Sequence, residues 1–514
     1  MTPEPNNSPA AQAAMNRAGL VLAVATLLPL IALLFLYAFK VPLGCPGRFV
    51  YLYSPVVGGR LAAVPFALIL AAALGAGIWL MAASTTPRRW IGRGLVVLNA
   101  IALGVWVYRA PPSHYNQHVF NAHSPSQDGA FIAEALRIDS VRDYLRLFPE
   151  RARTPPQAMR GTRVISNPPG TTLLAVAVAD VLERWPALLD FAARPPGEEM
   201  PTDAVFAKLR RSVGVGVAFF WVLTALWLMA GIFLYALGRL FLPPMVATAY
   251  ALCCVFAPLT MLFSPGKDPA QLVTLALPLW LWFLAVRHRR GWLAVCAGVA
   301  WTGACLVSLV HFWLGAIVCS AALLAFWPDR RAKVRLVASA ACGVVLTSAA
   351  LYFLCDLDLL ATARAVAHAQ AEVTRGPDAM PLAWQLIGVP LFLLFAGPAL
   401  WTAALTRFAP RTLAPRARDA TARLGVFLLL GCVAVMLGTV GFTNVETPRL
   451  WIPFTPLLLL GLLLQLDALR GPSRRVALAL AVLVGLQVAA SALQWSVMDP
   501  REAENRLADQ RFYG

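Results

Sequence analysis

Uncharged apolar runs long enough to cross a lipid bilayer fill most of this chain. They fall at about 19–39, 61–83, 94–108, 213–238, 245–263, 270–286, 292–307, 312–327, 336–354, 382–405, 424–442, 451–467 and 476–496. A helix rises about 1.5 Å per residue and the hydrocarbon core is about 30 Å thick, so each run suits one crossing. Lipid offers no partner for backbone amides, which leaves the helix as the open-ended way across. The expected fold is an all-α polytopic membrane protein with about 13 transmembrane helices. One polar stretch, about 109 to 211, interrupts the series.

Charge then sets sidedness. Of 514 residues 59% are hydrophobic and 13% charged, with a net charge of +18. The arginines sit mainly in short turns between apolar runs, so the excess is topological and no nucleic-acid partner is implied. Arg88, Arg89 and Arg93 form one cluster, Arg287, Arg289 and Arg290 a second, and Arg330, Arg331, Lys333 and Arg335 a third. Arg407, Arg411, Arg416, Arg418 and Arg423 form a fourth, and Arg470, Arg474 and Arg475 a fifth. All five share one side if every run crosses once, and the excess of positive charge makes that side cytoplasmic. The N-terminus is then inside and the C-terminus outside. The chain divides into a three-span segment (1–108), an extracytoplasmic loop (109–211), a transmembrane bundle (212–496) and an outer tail (497–514). The first run exceeds a signal-peptide core and reads as an anchor. Seven of nine cysteines lie in apolar runs and none shows Cys-x-x-Cys spacing, so neither a zinc site nor a disulfide framework is implied.

The loop holds one stretch that resembles a span, Asn167 to Trp185. Asp180, Glu183 and Arg184 arrive before twenty apolar residues accumulate, and a crossing here would reverse every later basic cluster. It reads as an interfacial helix with Leu174, Val178, Val181 and Trp185 on one face. Val141, Tyr144, Leu145 and Phe148 form the stripe of a second, opened by a capping box of Ser140 and Asp143. Leu357 to Val373 shows a weaker version.

With sidedness fixed, the outer face collects Asp128, Arg160, Arg163, the turn Asn167-Pro168-Pro169-Gly170, Lys267-Asp268 and Glu446-Thr447-Pro448-Arg449. Asp128 either N-caps a helix from Gly129 to Ile138 or accepts a proton from a substrate hydroxyl as a general base. Asp268 is either a cap or loop charge at the next helix or a second reactive carboxylate. Arg160, Arg163 and Arg449 carry the planar fork that grips phosphate oxygens; the alternative is a solvated or snorkelling side chain. Asn167, Lys267 and Glu446 complete the candidate binding residues, Glu446 also being placed to pair with Arg449. His311 interrupts an apolar stretch and is either a packing histidine or a functional one. His114, His118 and His123 are too loosely spaced for a firm metal motif. No nucleotide-binding loop or hydrolase motif is present, so the substrate must bring its own energy. No span carries a central charge of the kind an ion-coupled carrier or a glycan exporter needs.

In this order the motifs resemble the GT-C glycosyltransferases, especially the bacterial protein O-mannosyltransferases and the aminoarabinose transferase of lipid A. The matching features are Gln127-Asp128 in the first large outer loop, the juxtamembrane helices, and Asn167-Pro168-Pro169-Gly170, where the family usually has His or Lys before the prolines. Asp268 and the Glu446 to Pro453 segment complete them. Three spans precede the acidic loop here where one is usual. The resemblance implies a bacterial inner-membrane enzyme that moves a sugar, with inversion, from a polyprenyl-phosphate or pyrophosphate donor to an envelope glycan, lipid or protein. It implies Asp128 as base, Asp268 as second carboxylate and Arg449 as phosphate binder. Members differ in whether they hold a divalent cation such as magnesium or manganese, so the metal stays open. The rival readings are a lipid-linked glycan flippase or exporter, and a glycan polymerase or ligase.

Overall fold

The computed structural model describes most of residues 24–499, with breaks at 46–48, 54–60, 111–113, 125–126, 156–161, 196–203, 327–329, 376–381, 407–418, 440–446, 467–468 and 470–473 and a few single positions. Two strands, β1 (Leu43–Cys45) and β2 (Phe49–Tyr53), precede α1 (Val64–Met81) and α2 (Thr86–Arg109). The polar loop forms α3 (His114–His123), α4 (Gly129–Ala135), α5 (Val141–Arg153), α6 (Gly170–Arg184) and α7 (Pro186–Ala193). The bundle continues through α8 (Ala204–Arg239), α9 (Pro244–Val255), α10 (Pro258–Leu262), α11 (Lys267–His288), α12 (Gly291–Val307), α13 (Val310–Phe326) and α14 (Arg330–Cys355). After α15 (Leu359–Arg375) come α16 (Leu382–Ala396), α17 (Pro398–Thr406), α18 (Ala420–Thr439), α19 (Thr447–Leu450), α20 (Phe454–Leu463), α21 (Arg474–Val497) and β3 (Met498–Asp499).

The fold is that of a helical multi-pass membrane protein. Among the described residues eight helices are long and apolar enough to cross a bilayer, rising to nine with the bent pair α16–α17. The count of thirteen expected from apolar runs is therefore not reproduced by length. The shortfall has local causes. Helices α12 and α13 have 17 residues each, roughly 25 Å, and α20 has 10. The run at 19–39 is described only in part, with residues 30–36 helical. The three strands are a small departure from the all-helical expectation: β1 pairs antiparallel with β2, and β2 with β3, which ties residues near 50 to the end of α21.

Helices α9 and α10 form the buried centre, whereas α14 lies at the rim and exposes Val345, Leu346, Phe353 and Leu354. The α16–α17 pair bends by 97° at Gly397, whose φ of +86° suits glycine. An added Cβ would also lie 2.6 Å from Pro258 Cδ. The bend leaves backbone groups without helical partners, and Gln487 of α21 supplies them. Its Oε1 accepts from Ala399 N at 2.9 Å, while its Nε2 donates to Ala396 O at 3.1 Å and to Cys253 O at 3.2 Å.

Two ends of the bundle differ in charge. Arg287 donates to Leu240 O at 3.1 Å, Arg335 to Arg289 O at 3.0 Å and Arg423 to Ala325 O at 3.2 Å, so guanidinium groups cap carbonyls at one end. Helix α11 has Arg287 in its last turn and Lys267 and Asp268 in its first, with 22 residues, roughly 33 Å, between. The carboxylate end and the arginine rim are thus opposite.

The loop helices roof the carboxylate end. Ser140 Oγ accepts from Asp143 N at 3.2 Å, which forms the expected cap of α5. Tyr144, Leu145 and Phe148 pack with Leu357, Ala365 and Val366, and Arg142 Nε meets Asp356 Oδ2 at 2.6 Å. That hydrogen bond holds the half-buried Asp356 carboxyl below its usual range, while burial raises the pKa of the Tyr144 hydroxyl. Helix α6 has 15 residues and is not among the spanning helices. Of the expected stripe, Leu174 and Val178 pack against the core. Thr172, Ala175, Ala179 and Leu182 are buried, while Val181 and Trp185 stay exposed. Small side chains permit the closer approach: an added Cβ on Gly170 would lie 2.5 Å from Leu306 O.

Candidate functional site

The site assembles where α11 begins. The turn Phe263–Gly266 ends in a glycine that offers no side chain to cap the helix, and Asp128 of the loop takes that part. Its Oδ2 accepts the Lys267 backbone N–H at 2.7 Å. Asp128 makes no side-chain cap to its own helix α4, so the local capping alternative does not hold. A Cβ on Gly266 would sit 3.2 Å from Asp128 Oδ2 and 2.6 Å from Phe263 O, so glycine is what admits the carboxylate.

Arg163 joins the pieces. Its Nη1 donates to Asp128 Oδ1 at 2.6 Å and its Nη2 to Asp268 Oδ2 at 2.8 Å. Asp268 also faces Lys267 Nζ at 3.5 Å and Arg449 Nε at 3.4 Å, and Gln271 Nε2 lies 3.5 Å from its Oδ1. Lys267 Nζ donates to Asn167 Oδ1 at 2.5 Å, while Asn167 Nδ2 donates to Arg163 O at 2.8 Å. The Asn167 turn thereby fixes both cations. Asp128, Asp268, Lys267 and Arg449 are buried and Arg163 nearly so. Charges withdrawn from water to this degree need partners, because breaking such a pair costs about 3–5 kcal/mol.

These groups line a cleft of about 370 Å³, counting the space open at its mouth. Asn121, Gln127, Phe220 and Phe263 complete its walls. Asn121 Nδ2 is buried with no hydrogen-bond partner among the described residues, a donor left for something that enters. Arg449 lies over the Phe263 ring at 5.8 Å and Arg163 over Phe131 at 5.8 Å.

Of the residues singled out in the sequence, Asp128, Arg163, Asn167, Lys267, Asp268 and Arg449 are brought together here, the extremes 321 positions apart in the chain. Arg160 and Glu446 lie outside the described residues. His311 lies off the cleft lining, fully buried in α13, with Nε2 3.0 Å from Thr274 Oγ1. His118 Nε2 turns to Tyr108 O at 3.0 Å and His123 Nδ1 to Val119 O at 2.7 Å, so these histidines do not converge. Among the described residues no group of three or more His, Cys, Asp or Glu side chains could hold a metal ion. The two cleft carboxylates do not fit a divalent cation either, since the Arg163 fork stands between them. Sequence reasoning missed Asn121, Phe220, Phe263 and Gln271. Phe263 and Gln271 flank the Lys267-Asp268 segment and that nearness is the available signal, whereas Asn121 and Phe220 have no motif beside them and only the packing of α3 and α8 brings them to the cleft.

No family model, curated protein or solved structure matches the chain.

Proposed function

We propose that the cleft is the active site of a GT-C-type membrane glycosyltransferase, which moves a sugar from a polyprenyl-phosphate-linked donor to an envelope glycan, lipid or protein on the extracytoplasmic face. The observation that supports this reading is the Arg163 fork bridging Asp128 and Asp268 beside Lys267 and Arg449, at the bundle end away from the arginine rim. Three cations and two carboxylates line the cleft, an excess of one positive charge that matches the single negative charge of a phosphodiester. The roof of interfacial helices and the exposed Trp185 and Phe191 suit a donor that arrives from the lipid.

In this reaction the acceptor oxygen bonds to the anomeric carbon as the carbon–oxygen bond to phosphate breaks, and the electron pair leaves with the phosphate. Asp128 takes the acceptor's proton; each of its oxygens keeps a lone pair beyond the bonds to Arg163 and the Lys267 amide. Arg449 and Lys267 stabilise the charge growing on the phosphate. Asp268 holds these cations in place, and Asn121 offers its N–H to a sugar oxygen. A bundle of thirteen spans, with the bent pair, the three shorter apolar helices and the run at 19–39 each counted as a crossing beside the eight long helices, accords with this assignment, with the N-terminus cytoplasmic and the membrane a bacterial inner membrane.

Deleting the chain from its host and analysing lipid extracts by mass spectrometry tests the proposal. A polyprenyl-phosphate sugar should accumulate, and an unchanged pool of lipid-linked sugars rejects it. Sidedness is tested separately with a membrane-impermeant maleimide, which should label Glu150→Cys in intact cells and Arg290→Cys only after lysis.

A further inference from the structure

Paired carboxylates in a buried cleft are a common cradle for a divalent cation, and here an arginine stands between them. Magnesium and manganese draw oxygens to about 2.1 Å from one centre. In this cleft the guanidinium plane fills the centre instead, with Nη1 2.6 Å from Asp128 and Nη2 2.8 Å from Asp268. The fork suits this task because its two N–H groups point at oxygens from two separate elements at once. Further cations oppose a metal: Lys267 Nζ at 3.5 Å and Arg449 Nε at 3.4 Å face the same Asp268 carboxylate. An entering dication would meet three positive charges where the effective dielectric is low. Removing Arg163 to make room would leave Asp128 held only by the Lys267 amide among the bonds seen.

We propose that Arg163 does in this cleft what a divalent cation does in other carboxylate sites. It binds the loop carboxylate to the membrane-helix carboxylate, keeps the two adjacent, and makes sugar transfer independent of divalent metal. Arg163 is thus a positioning residue for Asp128. The metal-independence of transfer rests on the glycosyltransferase reading; the exclusion of metal from the cleft does not.

The first test uses the unaltered full-length chain in phosphatidylcholine nanodiscs, titrated with Mn²⁺ while the free-ion paramagnetic resonance signal is followed. No saturable site is expected. One Mn²⁺ per chain, lost in Asp268→Asn, overturns the proposal. In the second test, excess EDTA should leave transfer within about twofold of the untreated rate, and Arg163→Ala should lower it about 100-fold. Added guanidinium ion should restore the Arg163→Ala protein at least about fivefold, as expected for a group missing its charge-assisted fork. Recovery with Mn²⁺ instead, recovery with neither, or loss of wild-type transfer in EDTA overturns the proposal. If no polyprenyl-phosphate sugar supports transfer at all, the glycosyltransferase reading fails, while the Mn²⁺ titration still decides whether the cleft takes a metal.

Discussion

Replacing Gln487 with leucine removes one side chain and strands three backbone groups. The amide joins Ala399 N, Ala396 O and Cys253 O at 2.9, 3.1 and 3.2 Å, and Gln487 is buried to 1% exposure. Water cannot easily replace these bonds at the centre of a bundle. An orphaned buried group costs about 1–3 kcal/mol, and partial relaxation of the bend brings the sum to on the order of 3–6 kcal/mol. That is a large share of the about 5–15 kcal/mol that holds a typical fold together. The effect reaches the site because Pro258, which packs on Gly397, opens the short helix leading into the Phe263–Gly266 turn under Asp128. Unfolding of the purified chain in mixed micelles, followed by tryptophan fluorescence, measures the loss. Ser491→Ala, which removes a hydroxyl donating within the same helix pair, serves as a scale at about 1 kcal/mol. An unfolding midpoint for Gln487→Leu no lower than that of Ser491→Ala would refute the reasoning.

Three further outcomes follow from named contacts. Gly266→Ala forces a Cβ within 2.6 Å of Phe263 O, so we expect a loss of about 1–3 kcal/mol in stability, measured by the same unfolding assay, together with lost transfer. Asn121→Ala removes an N–H that no described protein atom accepts, so the unfolding midpoint should hold while kcat/KM for sugar transfer falls about 10-fold. The Arg142–Asp356 pair holds the Asp356 carboxyl below the usual carboxylate range, so its contribution is present at neutral pH and disappears as the carboxyl protonates in acid. Arg142→Ala should therefore speed hydrogen exchange in α15 at neutral pH and match the parent protein only once the pH has fallen below the lowered pKa of the folded state, where the carboxyl is protonated in both proteins; an acid titration of the exchange rate that shows no such convergence contradicts the assignment.

The multi-pass helical character is legible in the sequence because apolar runs are local signals, and so is the separation of the carboxylate end from the arginine rim. The carboxylate cluster is legible in part: sidedness alone assigns Asp128 and Asp268 to one face, and Arg163 joins them directly. What the residues do not disclose is partnership across the chain. Asp128 looks like the cap of the helix that follows it, yet it caps one that starts 139 positions later, because Gly266 leaves the acceptor place open. The bend at Gly397 lies within an unremarkable apolar run, and the Gln487 that stabilises it is 90 positions away. In α6 Leu174 and Val178 pack as the stripe suggests, yet the short Thr172, Ala175 and Ala179 side chains, which allow closer approach to the bundle, are buried more deeply.

In the proposed reaction Asp128 receives the acceptor's proton during sugar transfer. The direct test is transfer in membranes by Asp128→Asn, which keeps the side chain's shape and one oxygen to accept from Arg163, gives up the acceptor for the Lys267 amide, and removes the basicity. The account predicts normal insertion and a loss of transfer of about 100-fold or more. Full activity in a correctly inserted Asp128→Asn protein would contradict it.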